Sequence, residues 1–229
     1  MTALATPFAS RKHSRTPDLP LTLLLVDDHP ALRAGLRSLL SAEPGLHVAG
    51  DVASGEDACS WYRNGHPDVV VMDLSMDGFG GMEAIRRILQ HDPQAAILVY
   101  SVHASEVMLS RALALGALGY VTKASSTDVL VAGIREVAAG RGYVSPDLIP
   151  AMVQHHGAQN RLQLEQLGDR EFQILLLTAQ GLRVESCAQT LNLSEKTVRN
   201  HLTSIKAKLK VANTADLTRF AIRAGLAEP

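Results

Sequence analysis

The sequence predicts an α/β domain, a parallel sheet covered on both faces by helices, followed by a small separate all-α unit. Between Leu21 and about Gly142, short strand-like runs alternate five times with longer segments of helical period, the signature of successive βα units. The runs at 23–26, 69–72 and 97–99 are continuously apolar, as strands buried on both faces are. Beyond about residue 164 no strand pattern remains, and four helical segments follow with tight breaks between them. Crossovers between parallel strands are right-handed, so the first unit takes the flavodoxin-like, doubly wound (βα)5 form.

In chain order, residues 1–20 carry Arg11, Lys12, Arg15, Pro7, Pro17 and Pro20 but no apolar core. They read as a disordered tail and not as a signal peptide. Strands are expected over 21–26, 47–53, 69–73, 96–101 and 119–122, with helices over 30–41, 55–64, 81–91, 105–115 and 127–139. This domain spans 21–142. Periodicity fades over 143–163, where Pro146, Pro150 and Gly157 mark a linker with a short helix near 148–155. His155-His156 lacks a carboxylate or cysteine at ligand spacing. The second domain, 164–229, holds helices over 169–180, 184–191, 194–209 and 214–224. Gly181 ends the first, and Ser194 is a sound N-cap for the third. The second and third, joined by Asn192-Leu193-Ser194, form a helix-turn-helix. Its core is expected from Phe172, Leu175, Leu176, Ala188, Leu191, Leu193, Val198, Leu202, Ile205 and Leu209.

With 46% apolar and 20% charged residues, the composition is that of a globular protein. No apolar run is long enough to span a bilayer. Cys59 and Cys187 belong to no C-x-x-C pair, so neither a disulfide framework nor a zinc site is indicated. A cytoplasmic protein is the default. The net charge of −1 hides an asymmetry: residues 21–146 hold nine Lys or Arg against fourteen Asp or Glu, whereas 164–229 hold nine against seven. From Lys196 to Lys210 there are five basic residues and no acidic one, a stripe suited to a polyanion.

The chemistry gathers at three strand ends. Asp27-Asp28 follows Leu23-Leu24-Leu25-Val26, Asp73 follows Val69-Val70-Val71-Met72, and Lys123 follows Gly119-Tyr120-Val121-Thr122. In a doubly wound sheet these ends open onto one crevice, where such folds bind ligands. Three carboxylates there call for a divalent, oxygen-seeking cation such as Mg²⁺, and a lysine supplies a point charge for a phosphoryl oxygen. The set reads as a phosphorylation site with Asp73 as nucleophile. A lone Asp after a strand is more often a cap or turn former; agreement at three strand ends argues against coincidence.

These motifs carry a resemblance. Val26-Asp27-Asp28-His29-Pro30, Met72-Asp73-Leu74-Ser75-Met76, Ser101 and Gly119-Tyr120-Val121-Thr122-Lys123 resemble a response-regulator receiver domain. Arg170-Glu171, Ala179-Gln180-Gly181-Leu182 and Leu193-Ser194-Glu195-Lys196-Thr197-Val198-Arg199-Asn200-His201 resemble a LuxR-type DNA-binding domain. Together they resemble the NarL/FixJ family of two-component regulators over nearly the whole chain after the tail. The resemblance implies Asp73 as phosphoacceptor for a sensor histidine kinase or a small donor. It implies Mg²⁺ held by Asp27, Asp28, Asp73 and the backbone carbonyl of Ser75, Lys123 on the phosphoryl oxygens, and Ser101 and Tyr120 as switch residues. It further implies a homodimer on promoter repeats, with the last helix (Leu217, Phe220, Ala221) as the dimer contact; contact with RNA polymerase is left open. The chain departs from the family at Met76-Asp77-Gly78, where the usual proline is lost and a charge stands near the anionic site. Arg183-Val184-Glu185-Ser186-Cys187-Ala188 and Gly168-Asp169 also differ from the family pattern.

On the third helix of the second domain, Lys196, Arg199, Asn200 and Thr203 fall at spacings of three and four, on one face opposite Val198, Leu202 and Ile205. A recognition helix presents its N-terminal part to base edges. Asn pairs bidentately with adenine and a Thr methyl meets thymine, so Asn200 and Thr203 are expected on bases. Lys196, Thr197 and Arg199 are expected on phosphates, with Lys206 and Lys210 extending the track. Two alternatives stay open: a Mg²⁺-dependent aspartyl-phosphate hydrolase, which would want an Asp where Ser75 stands, and a regulator whose receiver is a phosphorylation-independent dimerisation module.

Overall fold

The computed structural model describes residues 19–76, 78, 80–148, 163–164, 166–224 and 226. Most of the expected tail, residues 149–155 of the expected short helix, the His155-His156 pair and Asp77 lie outside them. The first domain runs β1 (Leu21–Val26), α1 (Pro30–Ala42), β2 (Leu46–Val52), α2 (Gly55–Gly65), β3 (Val69–Met72), α3 (Gly80–His91), β4 (Ile97–Ser101), α4 (Glu106–Leu115), β5 (Gly119–Thr122) and α5 (Thr127–Ala138). Each expected strand and helix is present, with no end shifted by more than one residue.

The sheet has the order β2-β1-β3-β4-β5-β6, and every neighbouring pair is parallel. All of β3 is buried, which explains its unbroken apolar run. Helices α1 and α5 cover one face through Leu36, Leu40, Leu130 and Ile134. On the other face α2, α3 and α4 contribute Ala58, Ile85, Ile88 and Met108.

Strand β6 (Tyr143–Val144) was not expected: it pairs with β5 and a 3-10 turn over Pro146–Leu148 follows. The sheet therefore continues past the expected domain end at 142, into the stretch read as linker. Two residues are too few to show alternation, and Leu148, the last residue of the turn, is fully buried.

The second domain comprises α6 (Asp169–Ala179), α7 (Val184–Thr190), α8 (Glu195–Leu209) and α9 (Thr214–Arg223). Ser194 caps α8 by accepting the Thr197 amide, as expected, and Asn213 caps α9 in the same way through Asp216. Leu176 and Leu193, expected in the core, are only half-buried; Leu176 instead lines a cleft against the first domain. A single apolar cluster continues from Leu74, Met76 and Met108 into Leu164, Leu167 and Phe172. The two domains are thus docked, not merely tethered.

Candidate phosphorylation site and nucleic-acid interface

The C-terminal ends of β1, β3 and β5 bring Asp27, Asp73 and Lys123 together. Both aspartates are nearly inaccessible. The Lys123 ammonium lies 2.7 Å from Asp27 Oδ2 and 2.8 Å from Asp73 Oδ2. Burial pulls the Lys123 pKa down, but hydrogen bonds and charge from the two aspartates outweigh it and hold it above the ordinary lysine value. Backbone geometry supports the site: the His29 amide donates to Asp27 Oδ1 at 2.8 Å and the Ser75 amide to Asp73 Oδ1 at 3.1 Å. The start of α3 passes so close to this loop that a Cβ at Gly81 would lie 2.0 Å from the Asp73 carbonyl oxygen. Glycine is required there for the close approach.

Asp27, Asp28, His29 and Asp73 offer ligand atoms that all lie within 4.8 Å of one another. The three carboxylates are oxygen donors that fit a hard divalent cation, and His29 adds one nitrogen at the edge of the set. His29 joins the cluster by contacting Asp28 Oδ1 at 2.8 Å, a member the sequence reading did not include.

The switch candidates sit beside this cluster. Ser101 is fully buried at the end of β4 and its Oγ accepts the His103 amide at 3.3 Å. Tyr120 is also fully buried, and its hydroxyl donates to the His103 carbonyl at 2.7 Å. Burial raises the Tyr120 phenol well above its ordinary pKa.

His103, not singled out from sequence, therefore joins both switch residues. Its Nε2 is 2.9 Å from Ser75 Oγ, and burial lowers its pKa despite the opposing charge of Asp73. An ionisable residue two positions past a strand-end Ser, in a loop facing the same crevice, was the available signal.

The second domain docks on this region. Gly78, in the loop after Asp73, donates its amide to the Thr190 carbonyl at the end of α7 (2.9 Å), and Arg170 donates to the Gly78 carbonyl at 2.9 Å. On α4, Arg111 donates to the Leu164 and Leu167 carbonyls and to Asp169 Oδ1 at 2.9–3.1 Å. Its guanidinium also lies 4.2 Å from the centre of the Phe172 ring. A cleft of about 140 Å³ between the domains is lined by Ser75, Met76, His103, Leu176 and Leu191, among others. Asp169 thus serves Arg111, while the α6 start is capped by Glu171, which accepts the Gly168 amide at 2.9 Å.

On α8 the expected reading face is open: Lys196, Arg199, Asn200 and Thr203 are exposed, Thr197 and Lys206 half-buried, and Lys210 exposed just past the helix end. Arg199 pairs with Glu195 at 2.8 Å. The Thr203 hydroxyl donates to the Arg199 carbonyl at 3.0 Å, so its methyl group remains for an apolar contact. Leu217, Phe220 and Ala221 are at most 3% exposed within the second domain's own core. The exposed positions of α9 are instead Thr214, Ala215, Arg219 and Arg223.

Comparison with known proteins matches this geometry. Residues 23–135 match the response regulator receiver domain, and residues 165–221 match the luxR family of bacterial regulatory proteins. Response regulator UvrY of Escherichia coli (strain K12) is 36% identical over 208 residues, covering 90% of this chain and 95% of its own. Response regulator GacA of Pseudomonas aeruginosa is 35% identical over 210 residues, covering 91% and 98%. Among solved structures, RcsB from Salmonella enterica serovar Typhimurium bound to promoter rprA with the phosphomimetic BeF3- is similar with a TM-score of 0.63 at 26% identity. That match covers 87% of this chain and 98% of RcsB. With a receiver domain, a LuxR-type helix-turn-helix domain and relatives aligned over nine-tenths of its length, the chain belongs to the NarL/FixJ family of two-component response regulators.

Proposed function

We propose that the protein regulates transcription from the cytoplasm through phosphorylation of Asp73 by a sensor histidine kinase. The observation that carries this is Lys123 bridging Asp27 and Asp73 in a chain that also presents an exposed basic helix of a helix-turn-helix. A carboxylate oxygen of Asp73 attacks the donor phosphorus, forming an acyl phosphate as the phosphorus–nitrogen bond of a phosphohistidine breaks. Phosphoryl transfer depends mainly on positioning and charge neutralisation. Asp27, Asp28, Asp73 and the Ser75 carbonyl would hold Mg²⁺, which supplies charge neutralisation on the phosphoryl oxygens. Lys123 turns from the carboxylates to the new phosphoryl group, and Ser101 and Tyr120 respond through their shared partner His103.

Phosphorylation then acts as a population shift. The loop after Asp73 is bonded to α7, so a change there biases docking against a state free to dimerise on promoter repeats. The test is exposure to acetyl phosphate with Mg²⁺. One phosphoryl adduct by intact mass, absent in Asp73→Asn, is expected; no adduct, or an adduct retained in that variant, would overturn the assignment.

A second reading, DNA binding that does not depend on phosphorylation, is favoured by one observation: the reading face of α8 is exposed while the domains are docked. Equal promoter affinity of Asp73→Asn and the phosphorylated protein would select it.

A further inference from the structure

The unexpected strand β6 and its 3-10 turn place a carboxylate against the turn that carries Lys123. Asp147 accepts the Thr122 hydroxyl through Oδ2 and the Ser125 hydroxyl through Oδ1 at 3.0 Å. Thr122 and Ser125 flank Lys123 on either side, and the Thr122 Oγ1 and Ser125 Oγ are 3.1 Å apart. One residue before the 3-10 turn, the fully buried Ser145 accepts the Thr122 amide at 3.3 Å and donates its own amide to the Tyr120 carbonyl at 2.9 Å. On the opposite side, the Lys123 amide donates to the Ser101 carbonyl at 2.8 Å. The lysine backbone is therefore braced by β4 on one side and by the Ser145–Asp147 segment on the other. Burial raises the Asp147 pKa, but the hydroxyl groups of Thr122, Ser145 and Ser125 outweigh it and leave the carboxyl below its ordinary range. The ionised form is the one that these donors hold.

We infer that Asp147 is a positioning residue for the phosphorylation reaction: it fixes the Thr122–Ser125 turn so that Lys123 reaches the crevice, and it links that turn to the segment leaving for the DNA-binding domain. The inference rests on Asp73 being the phosphoacceptor. A brace that acts through Lys123 has a specific consequence. Metal binding would be the work of the aspartates that follow β1 and β3, whereas only charge placement on the phosphoryl oxygens would pass through the braced turn. Misplacing a catalytic group by a fraction of an ångström to an ångström slows reaction without changing the ligand set.

The test compares wild type, Asp147→Ala, Asp147→Asn and Thr122→Val in the full chain, measuring the phosphorylation rate with acetyl phosphate and, separately, Mg²⁺ affinity by titration. Asp147→Ala and Thr122→Val are expected to slow phosphorylation about tenfold with Mg²⁺ affinity unchanged, and Asp147→Asn, which keeps an acceptor oxygen, to recover part of the rate. Wild-type rates in both Asp147→Ala and Thr122→Val overturn the proposal. So does a parallel fall in Mg²⁺ affinity, which would mark general loosening of the domain. If Asp147→Ala fails to fold, Thr122→Val, which preserves side-chain shape, decides the question alone. Failure of wild type to accept phosphate would indict the Asp73 assignment and not the brace.

Discussion

The Gly78 amide donates to the Thr190 carbonyl at 2.9 Å, so the loop that follows Asp73 is joined backbone to backbone with the first helix of the helix-turn-helix. Coupling through such a bond is reciprocal: whatever phosphorylation does to docking, docking does to phosphorylation. Arg111 anchors the docked state at several points at once, and it is only 14% exposed in its ion pair with Asp169. Arg111→Ala leaves two carbonyls and a carboxylate without their donor and should weaken docking by about 3 kcal/mol. The expected outcome is a larger radius of gyration by small-angle scattering and faster hydrogen exchange in α6. An unchanged radius would show that the apolar cluster alone holds the domains together.

Lys123 pairs with two buried aspartates at once, and removing it should expose how much they repel. Lys123→Ala is expected to cost about 3 kcal/mol of stability in metal-free buffer, the usual scale for a buried charge that loses its partner. Mg²⁺ should restore more stability to the variant than to wild type, because it then supplies the only counter-charge between the carboxylates. Urea unfolding with and without MgCl₂ checks this. An equal Mg²⁺ effect on both proteins would mean that the ion does not substitute for the lysine. Since the folded Lys123 pKa is raised, its contribution holds below the ordinary lysine value and is lost only as pH rises beyond it.

The βα alternation and the three strand-end sites were legible because each rests on a local pattern: Val69–Met72 is apolar throughout, and Asp73 follows it directly. What escaped reading depends on distant partners. Strand β6 is two residues long and exists only because β5 offers an edge. His103 gains meaning from Ser75, Ser101 and Tyr120, which lie in other segments. On α9, Leu217 and Phe220 are expected at a dimer contact, but α6 and α8 pack against them inside a domain this small. Leu217→Ala should therefore destabilise the domain by about 3 kcal/mol, lowering its melting temperature more than it weakens any dimer.

Glu171 ties the first helix of the DNA-binding domain to its recognition helix. Its carboxylate accepts Ser204 Oγ at 2.7 Å and Lys208 Nζ at 2.6 Å as well as the Gly168 amide. Burial raises its pKa, but the hydrogen bonds from Lys208, Ser204 and Gly168 outweigh that and lower it below the ordinary value of 4.5. A depressed folded pKa contributes stability above the unfolded value and loses it as pH falls through the folded one. Melting of the second domain should therefore fall with acidification below about pH 4.5, and Glu171→Gln should flatten that dependence while costing about 2 kcal/mol near neutrality. A variant with wild-type acid sensitivity would place the titrating group elsewhere.

Asn200 and Lys196 share the exposed face of α8 but should fail differently when truncated. An asparagine that bridges adenine discriminates between bases by about 1–3 kcal/mol. Asn200→Ala is accordingly expected to flatten preference at one position of each half-site while leaving nonspecific affinity nearly intact. A lysine on phosphate carries no sequence information, so Lys196→Ala should weaken all sequences alike and reduce the slope of log affinity against log salt by about one. Titrations of promoter and scrambled duplexes at several salt concentrations separate the two. Parallel losses on both duplexes for both variants would remove Asn200 from the bases and make this face an electrostatic surface only. Arg199, paired with Glu195 in the free protein, must break that pair to reach a phosphate, so Glu195→Gln should tighten binding to both duplexes equally.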